Sequence, residues 1–241
     1  MQRLDYIIKR LVMAVFVLAS VSIVTFIIAR VVPSNPAAAW VGPHPTKEQI
    51  AKATIELGLD QPLPTQYLRY MEGVVKGDLG TSVTTRQPIL TDIKTFLPAT
   101  LELVLAGMFI AIIIGIPLGV LSGANKGSWL DHLTRLVSIA GVSMPAFLLG
   151  LLLQMLFFRQ LELLPLGARL STEVSLTNPV ETLTGMYLID SAITGNWVAF
   201  QDASKHIILP ALALATYPIG LAIRMTRSTM IEVLNEKYIQ A

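Results

Sequence analysis

Cysteine is absent from this 241-residue chain, and charged residues are scarce. Without cysteine the protein has no disulfide, no thiolate metal ligand and no cysteine nucleophile. The absence of cysteine does not distinguish an oxidising from a reducing compartment. Only 14% of the residues are charged, against about 25% in an average soluble domain, and 53% are hydrophobic. So few charges cannot cover a whole surface that faces water, which argues against a soluble globule, a disordered chain or a coiled coil. The net charge of +2 is too small to indicate a nucleic-acid partner.

The chain also lacks the motifs of several enzyme classes. No phosphate-binding loop occurs, because the nearest stretch, Gly123–Gly127, has its residues in the wrong order. No His-Glu-x-x-His motif occurs, and the isolated histidines His44, His132 and His206 are each predicted to lie at the membrane interface. Ser143 has no neighbouring base that would activate it as a nucleophile. We therefore predict a protein that is not an enzyme, with no cofactor and no metal.

The few charges are clustered, and the gaps between the clusters have the length of a bilayer. A helix needs about 20 apolar residues to cross the hydrocarbon core, with a range of roughly 17–25. Four uncharged runs of 17 to 23 residues meet this requirement: Leu11–Ala29, Leu103–Asn125, Leu136–Phe158 and Ile207–Ile223. The first is longer than the roughly 7–15 apolar residues of a signal peptide, so it is predicted to remain as a span. The sequence predicts an all-α, polytopic transmembrane protein.

Lysine and arginine are unevenly distributed among the segments that connect these runs. Segments 1–10, 124–135 and 224–241 carry eight of these residues in 40 positions, whereas segments 33–97 and 159–206 carry nine in 113 positions. Segments rich in lysine and arginine remain on the cytoplasmic side of a membrane. The distribution therefore predicts that both ends of the chain are cytoplasmic.

Three glycines in the second run are spaced for close helix packing. Gly115, Gly119 and Gly123 recur every four residues and share one face of a helix. Such a face lets a second backbone approach closely, in this chain or in a partner subunit. The alternative is that these glycines only reflect the high frequency of glycine in transmembrane helices. We predict a helix-packing face.

Prolines inside the runs mark possible hinges. Pro117 is expected to kink the second run. Pro145 removes a backbone hydrogen bond from the third run, which allows either a hinge or a static defect. Pro210 and Pro218 weaken the last and shortest run, which should depend on neighbouring helices to satisfy its backbone.

The segments between the runs carry their own local signals. Thr46 and Gln49 form a capping-box pair that predicts the start of a helix. A second short helix is predicted near Pro64, so that segment 33–97 forms a small helical cap. Segment 159–206 is polar and rich in turn residues, and at most a short surface or re-entrant helix is expected there.

Six short motifs, distributed along essentially the whole chain, resemble one protein family: Tyr6–Leu11, Val32–Ala37, Leu57–Leu63, Lys76–Ser82, Gly141–Phe147 and Ile208–Leu212. The family comprises the inner-membrane permease subunits of bacterial peptide-type ABC importers, the dipeptide and oligopeptide permease B group. The second motif resembles the family's Pro-Gly-Asp-Pro signature, with Ser34 and Asn35 in place of glycine and aspartate. The two motifs that follow are the most specific.

The C-terminal stretch Arg224–Ala241 resembles the start of the family's cytoplasmic coupling loop, which docks on the ATPase. By this resemblance, five residues are assigned to the ATPase contact: Glu232, Glu236, Lys237, Tyr238 and Ala241. The stretch is also amphipathic by itself, and the alternative is a solvated helix beside the membrane. The family has six spans, two of them after the coupling loop. The present sequence stops inside this motif, so it is interpreted as truncated, with four of the six spans.

The resemblance implies a permease subunit that translocates di- or oligopeptides across the bacterial inner membrane. Its implied partners are a second permease subunit, cytoplasmic ATPase subunits that hydrolyse ATP, an external solute-binding protein and membrane lipid. Two alternatives stay open: an importer for another small solute (nickel, glutathione or an oligosaccharide), and a truncated remnant without activity. The expected organisation is the N-terminus and first span in 1–32, the external cap in 33–97, and a transmembrane core in 98–241.

Overall fold

A computed structural model of the chain describes residues 2–31, 35–82 and 84–236. The chain divides into two compact units, residues 1–93 and 94–241. The described residues contain helices and no β-strand; an isolated antiparallel bridge joins Thr81 and Pro88. The prediction of an all-α protein is confirmed.

The first unit contains a long apolar helix and three short ones: α1 (Gln2–Val31), α2 (Pro36–Val41), α3 (Lys47–Glu56) and α4 (Leu63–Val75). Most of α1 is exposed, as lipid contact requires; the side chain of Phe16, for example, is 72% exposed. The predicted capping box at the start of α3 is present, with reciprocal bonds between Thr46 and Gln49. Within the unit, the hydroxyls of Ser22 and Tyr67 lie 2.7 Å apart and join α1 to α4.

The second unit contains most of the apolar helices, and the first of them begins in the preceding unit: α5 (Ile89–Ala124), α6 (Trp129–Ser143), α7 (Ala146–Gln154), α8 (Thr172–Thr177), α9 (Tyr187–Ile193) and α10 (Trp197–Leu234). A π-helical segment, Met155–Gln160, continues α7. The longest helix, α10, packs against α6, α7 and α9. It is therefore the central element of this unit.

Three of the described helical segments are long and apolar enough to cross a membrane, namely Asp5–Arg30, Ile89–Ala124 and Trp197–Leu234. The third predicted run is not one straight helix. It is divided between α6 and α7, which meet at an angle of 107°. The bend falls at Met144 and Pro145, where proline removes a backbone donor, so this pair is either a broken span or a re-entrant loop.

Two expectations for the last helix are corrected. The uncharged run begins at Ile207, but α10 begins at Trp197, because the side chain of Asn196 caps its first turn by accepting from the amide of Ala199. His206 was predicted at the membrane interface and is instead buried inside the unit, 7% exposed. Its Nδ1 donates to the carbonyl oxygen of Asp202 one turn earlier. His44 and His132 are exposed.

Candidate functional site

A buried carboxylate, Asp131, connects three helical segments at the C-terminal end of α5. The guanidinium of Arg227 on α10 donates from Nε to Oδ1 at 2.6 Å and from Nη2 to Oδ2 at 3.0 Å. The hydroxyl of Ser122 on α5 donates to Oδ1 at 2.7 Å, and the amide of Gly127 donates to Oδ2 at 3.0 Å. Asp131 is 1% exposed. We call these four residues the Asp131 cluster.

Local sequence places Asp131 at this point. Gly127 adopts a φ of +83°, a conformation that favours glycine, and so turns the chain between α5 and α6. Ser128 then caps α6 by accepting from the amide of Asp131. Asp131 lies in the first turn of α6, where the helix dipole favours a negative charge. The turn and the cap therefore direct the carboxylate back towards α5 and α10.

The three glycines that the sequence singled out lie against α10. A Cβ added at Gly115 would lie 2.7 Å from the Cβ of Ala222, and one added at Gly119 would lie 2.6 Å from that of Thr226. At Gly123 the corresponding atom, the Cβ of Met230, is 2.7 Å away. Real Cβ atoms do not approach so closely, so only glycine fits at this contact between α5 and α10.

A second close contact, between α6 and α10, was missed by the sequence analysis. The hydroxyl of Ser138 donates to the carbonyl oxygen of Gly220 at 2.7 Å, although 82 residues separate them. A Cβ at Gly220 would lie 2.8 Å from the carbonyl oxygen of Ser138, and one at Gly141 would lie 3.0 Å from that of Thr216. Single small residues without a four-residue repeat carry no signal that distinguishes them from other glycines.

A second carboxylate, Glu102, lies farther towards the N-terminal end of α5. Its Oε2 accepts from Nη2 of Arg169 at 2.7 Å, and its Oε1 accepts from the amide of Leu188 at 2.6 Å. The same Nη2 donates to the carbonyl oxygen of Gly185 at 2.8 Å, and the guanidinium carbon lies 3.6 Å from the centre of the Tyr187 ring. Glu102 is 8% exposed and the Arg169 side chain 31%. We call these five residues the Glu102 cluster.

The Glu102 cluster borders a cavity of about 270 Å³. His206 and Thr100 also line this cavity, together with apolar side chains such as Leu103 and Ile207. The cavity therefore combines an arginine, a carboxylate and a histidine with an apolar wall. It lies at the end of α5 and α10 from which the 159–196 segment projects.

A third carboxylate, Asp190, organises that segment. It is fully buried, and its oxygens accept from the hydroxyl of Thr184 at 2.7 Å and from the amides of Leu183, Thr184 and Gly185 at 2.9 to 3.1 Å. Burial alone would raise the pKa of Asp190, but these hydrogen bonds to the charged form outweigh it and lower the pKa below its ordinary value. Asp190 thereby fixes Gly185, whose carbonyl oxygen binds Arg169.

The other predicted site residues are distributed along the second unit. Pro117 lies inside α5, Pro210 and Pro218 lie inside α10, and Pro145 lies at the bend between α6 and α7. The residues expected at an ATPase contact are divided. Glu232 lies in the last turn of α10 and Glu236 just after it, both exposed. Three of them lie outside the described residues: Lys237, Tyr238 and Ala241.

Within the described part of the chain, no group of three or more histidine, aspartate or glutamate side chains is arranged to hold a metal ion. The polar clusters hold helices together or border the cavity, and much of the remaining surface of the long helices is apolar. The fold is that of a membrane-embedded helical component with a charged cavity at one end.

Family models match both parts of the chain. Residues 3–104 match the N-terminal region of binding-protein-dependent transport system membrane components, and residues 115–241 match the binding-protein-dependent transport system inner membrane component. The chain belongs to this family. It is therefore a multi-pass protein of the inner membrane and a permease component of an ABC transporter that has other subunits.

Individual relatives agree with this assignment. The chain is 43% identical over 226 residues to a probable D,D-dipeptide transport system permease protein of Escherichia coli K12, covering 94% of the chain and 66% of that protein. It is 40% identical to a dipeptide transport system permease protein of Alkalihalophilus pseudofirmus, covering 98% and 70%. It is 32% identical to a glutathione transport system permease protein of Salmonella paratyphi A, covering 98% and 67%. The chain thus spans about two thirds of the length of the curated relatives that it matches.

Proposed function

We propose that the protein is the membrane-spanning permease subunit of an ATP-driven importer that moves di- and oligopeptides across the bacterial inner membrane. The observation that carries this proposal is the 40–43% identity, over 94–98% of the chain, to permeases named for dipeptide transport. The glutathione permease is a more distant relative, at 32% identity. Glutathione is itself a small peptide, so it is the second candidate cargo.

The proposed orientation places the N-terminus in the cytoplasm. Its support is the higher density of lysine and arginine in segments 1–10, 124–135 and 224–241. Segments 33–97 and 159–206 are then external, the first as a helical cap, and residues 98–241 form the transmembrane core. In this orientation the Asp131 cluster faces the cytoplasmic side, and the Glu102 cluster faces the external side.

The proposed partners are those of a binding-protein-dependent importer. An external solute-binding protein delivers the peptide, a second permease subunit completes the pathway as a heterodimer, and cytoplasmic ATPase subunits hydrolyse ATP. The permease itself contributes no catalytic group. ATP changes the population of two arrangements of the helices, since a ligand shifts an equilibrium only through its different affinities for the two states.

The proposed coupling contact lies at the end of α10 and just beyond it. Glu232 and Glu236 are exposed there. Lys237, Tyr238 and Ala241, which follow in the sequence, are proposed to complete the contact with the ATPase. Displacement of this end would reach α6 through the ion pair of Arg227 with Asp131, and α5 through the glycine face. A shift of packed helices as units is one of the established modes of switching. Pro117, Pro145, Pro210 and Pro218 are the proposed hinges.

Uptake measurements test the proposed function. The full-length gene is deleted from cells that retain its partner genes, and uptake of radiolabelled dialanine and of radiolabelled glutathione is measured. We expect the deletion to abolish dialanine uptake and the restored gene to recover it. Loss of glutathione uptake alone would favour the second candidate, and unchanged uptake of both would refute a role in peptide import.

Crosslinking tests the coupling contact. A photoreactive residue at position 238 of the full-length permease is expected to crosslink to the ATPase subunit in the assembled transporter. The same residue introduced at Val75, at the end of α4 in the segment proposed to be external, is the matched control and should give no such product. An ATPase crosslink from position 75 alone would reverse the proposed orientation.

A further inference from the structure

Helix α4 belongs to the segment proposed to be external, and yet it contacts α1 within the membrane span. The hydroxyl of Tyr67 on α4 lies 2.7 Å from that of Ser22 on α1. The ring of Phe26 packs edge-on against the ring of Tyr67 at 5.3 Å and lies 6.1 Å from that of Tyr70. The two tyrosines thus flank a phenylalanine that is only 8% exposed. Helix α4 therefore meets α1 at Ser22 and Phe26.

These contacts indicate how deep α4 lies in the membrane. The uncharged run of α1 ends at Ala29, and Arg30 is the last residue of the candidate span. A helix rises 1.5 Å per residue, so Ser22 and Phe26 lie about 12 and about 6 Å before Arg30 along the axis. The hydrocarbon core is roughly 30 Å thick, so both residues lie in the half of the span nearer to Arg30. A helix beside them lies at the boundary of one leaflet rather than in bulk water.

Helix α4 carries more apolar surface than α1 covers. Leu68 and Val75 are seven positions apart and therefore share one face of the helix. Their exposed fractions are 68% and 83%. Arg69, the residue after Leu68, lies about 100° farther around the helix and is also exposed. An exposed apolar face beside a charged one is typical of a helix that lies in a membrane interface.

Arg30 lies at the same end of the span and has no carboxylate partner. Its guanidinium carbon lies 5.6 Å from the centre of the Phe26 ring. In the part of the chain that the structure describes, no aspartate or glutamate lies within ion-pair distance of Arg30. The residues outside that part contain neither amino acid. Phosphate is the anion that a phospholipid offers at this level, and arginine binds it through charge-assisted hydrogen bonds.

We propose that α4 lies in the membrane surface at the Arg30 end of α1, with Leu68 and Val75 among the acyl chains and a phospholipid phosphate bound by Arg30. The exposed apolar face of α4 continues the lipid-facing surface of α1, so the same bilayer covers both. A soluble partner such as a solute-binding protein fits less well, because it would have to enter the leaflet to reach this face. In the orientation proposed above, this is the outer leaflet.

Spin labels test whether α4 lies in lipid. The transporter is assembled in liposomes from the full-length permease and its partner subunits, and any other cysteine is replaced by serine. Leu68→Cys and Val75→Cys carry the label in turn, and Arg69→Cys is the matched control on the polar side of the same helix. The measurement compares collisions of the label with oxygen, which concentrates in lipid, and with a water-soluble nickel chelate.

We expect oxygen collisions to exceed nickel collisions at positions 68 and 75, and the reverse at position 69. Nickel collisions that exceed oxygen collisions at all three positions would overturn the proposal. Low rates of both collisions at positions 68 and 75 would also overturn it, since a protein subunit rather than lipid would then cover this face. A reversed orientation, which the crosslinking test above detects, would move the surface to the inner leaflet without removing it from lipid.

The number of bound phospholipids tests the role of Arg30. Native mass spectrometry counts the phospholipid molecules that the assembled transporter retains in wild type, Arg30→Gln and Arg30→Lys. Lys52→Gln is the matched control, because Lys52 is an exposed cation of the same unit that already pairs with Glu48 at 2.8 Å. Arg30→Met, which keeps an apolar chain on the Phe26 ring, takes the place of Arg30→Gln if that variant does not assemble.

We expect the uncharged variants of Arg30 to lose one retained phospholipid. Arg30→Lys should keep it, because an ammonium group also binds phosphate, and Lys52→Gln should match wild type. Equal numbers of phospholipids in wild type and in the uncharged variants would show that Arg30 binds no phosphate. An equal loss in Lys52→Gln would show that any surface cation retains lipid, and it would overturn the assignment to Arg30 as well.

Discussion

The pair of Asp131 with Arg227 and the pair of Glu102 with Arg169 lie towards opposite ends of α5, and they differ in how completely they are enclosed. Arg227 meets Asp131 through two hydrogen bonds, and Ser122 and Gly127 saturate the same carboxylate. Arg169 meets Glu102 through a single nitrogen atom and borders a cavity. The exposed fraction of the arginine side chain is 21% in the first pair and 31% in the second.

This difference indicates different uses of the same chemistry. Each buried charge is costly unless its partners replace the water that it has lost. The Asp131 cluster meets this condition within the chain, so it is suited to holding α5, α6 and α10 together. The Glu102 cluster leaves donors of Arg169 without a partner in the described residues, so it is suited to receiving one from outside. The predictions below test whether the two pairs differ in this way.

The largest effect is expected at the enclosed pair. Asp131→Asn removes the charge opposite Arg227. The guanidinium of Arg227, which is largely buried, then has lost its counterion. We expect the free energy of unfolding in detergent to fall by about 3 kcal/mol, the lower part of the range for breaking a buried pair, since Arg227 retains some exposure. Denaturant unfolding followed by circular dichroism measures this change.

A double variant provides the control for the pair. Asp131→Leu combined with Arg227→Met removes both charges, and a buried pair replaced by apolar residues often costs little stability. The double variant should therefore be more stable than Asp131→Asn. If instead the double variant is less stable than Asp131→Asn, the hydrogen bonds from Ser122 and Gly127, rather than the ion pair, hold this end of the helices together.

The next largest loss of unfolding free energy is expected at the glycine face of α5, formed by Gly115, Gly119 and Gly123, between the two pairs. In Gly119→Ala the new Cβ would lie 2.6 Å from the Cβ of Thr226 and 3.0 Å from the carbonyl oxygen of Ile223. The helices α5 and α10 must separate, and overpacking of this kind costs about 1–3 kcal/mol. Gly150→Ala is the matched control, because its Cβ meets only the Cβ of Ala213 at an ordinary 3.7 Å. Equal unfolding free energies for the two variants would show that α10 does not pack on α5 through this face.

A smaller effect is expected at the open pair. Glu102→Gln keeps an acceptor for the amide of Leu188 and removes the charge opposite Arg169. Because the cavity gives Arg169 access to water, we expect a loss of about 1 kcal/mol, near the lower end of the cost of an unsatisfied polar group. The same unfolding experiment compares it with Asp131→Asn. A loss as large as that of Asp131→Asn would contradict the distinction between an enclosed and an open pair.

Sequence alone predicted the elements that depend on local physics and missed those that depend on distant contacts. The long uncharged runs predicted the apolar helices because lipid tolerates few charges, and the pair Thr46 and Gln49 predicted a cap because both residues lie in one turn. The ion pair of Asp131 and Arg227 joins residues 96 positions apart, and nothing in either local sequence indicates the other. The sequence placed a proline at the break after α6, but no local signal gave the 107° angle at which α6 and α7, both packed against α10, meet.

The burial of His206 was missed for a related reason. Asp202 and Lys205 interrupt the apolar pattern before Ile207, so the sequence indicated a loop there. In the structure the carboxylate of Asp202 accepts from the amide of Ser171 at 2.7 Å, and this contact lets a charged residue lie on α10 beside the 159–196 segment. A charge that is satisfied by a distant backbone group does not mark the end of a helix.

The smallest expected effect is local and depends on pH. Folding lowers the pKa of Asp190, because the hydrogen bonds from Thr184 and from three amides outweigh burial. Asp190 therefore contributes stability that is fully present above its unfolded pKa of about 3.9, and that is lost as the pH falls through the lower folded value. Hydrogen-exchange protection of the amides of Leu183, Thr184 and Gly185 should fall as the pH is lowered from about 5 to about 3.

In Asp190→Asn these amides should exchange faster already at neutral pH, with little further change on acidification. The global unfolding free energy should change less than in Glu102→Gln. Glu181→Gln, an exposed carboxylate in the same segment, is the control and should behave as wild type. If the three amides keep the same protection in wild type and in Asp190→Asn at every pH, then Asp190 does not hold Gly185 in place, and the open pair must owe the position of Arg169 to Glu102 and Tyr187 alone.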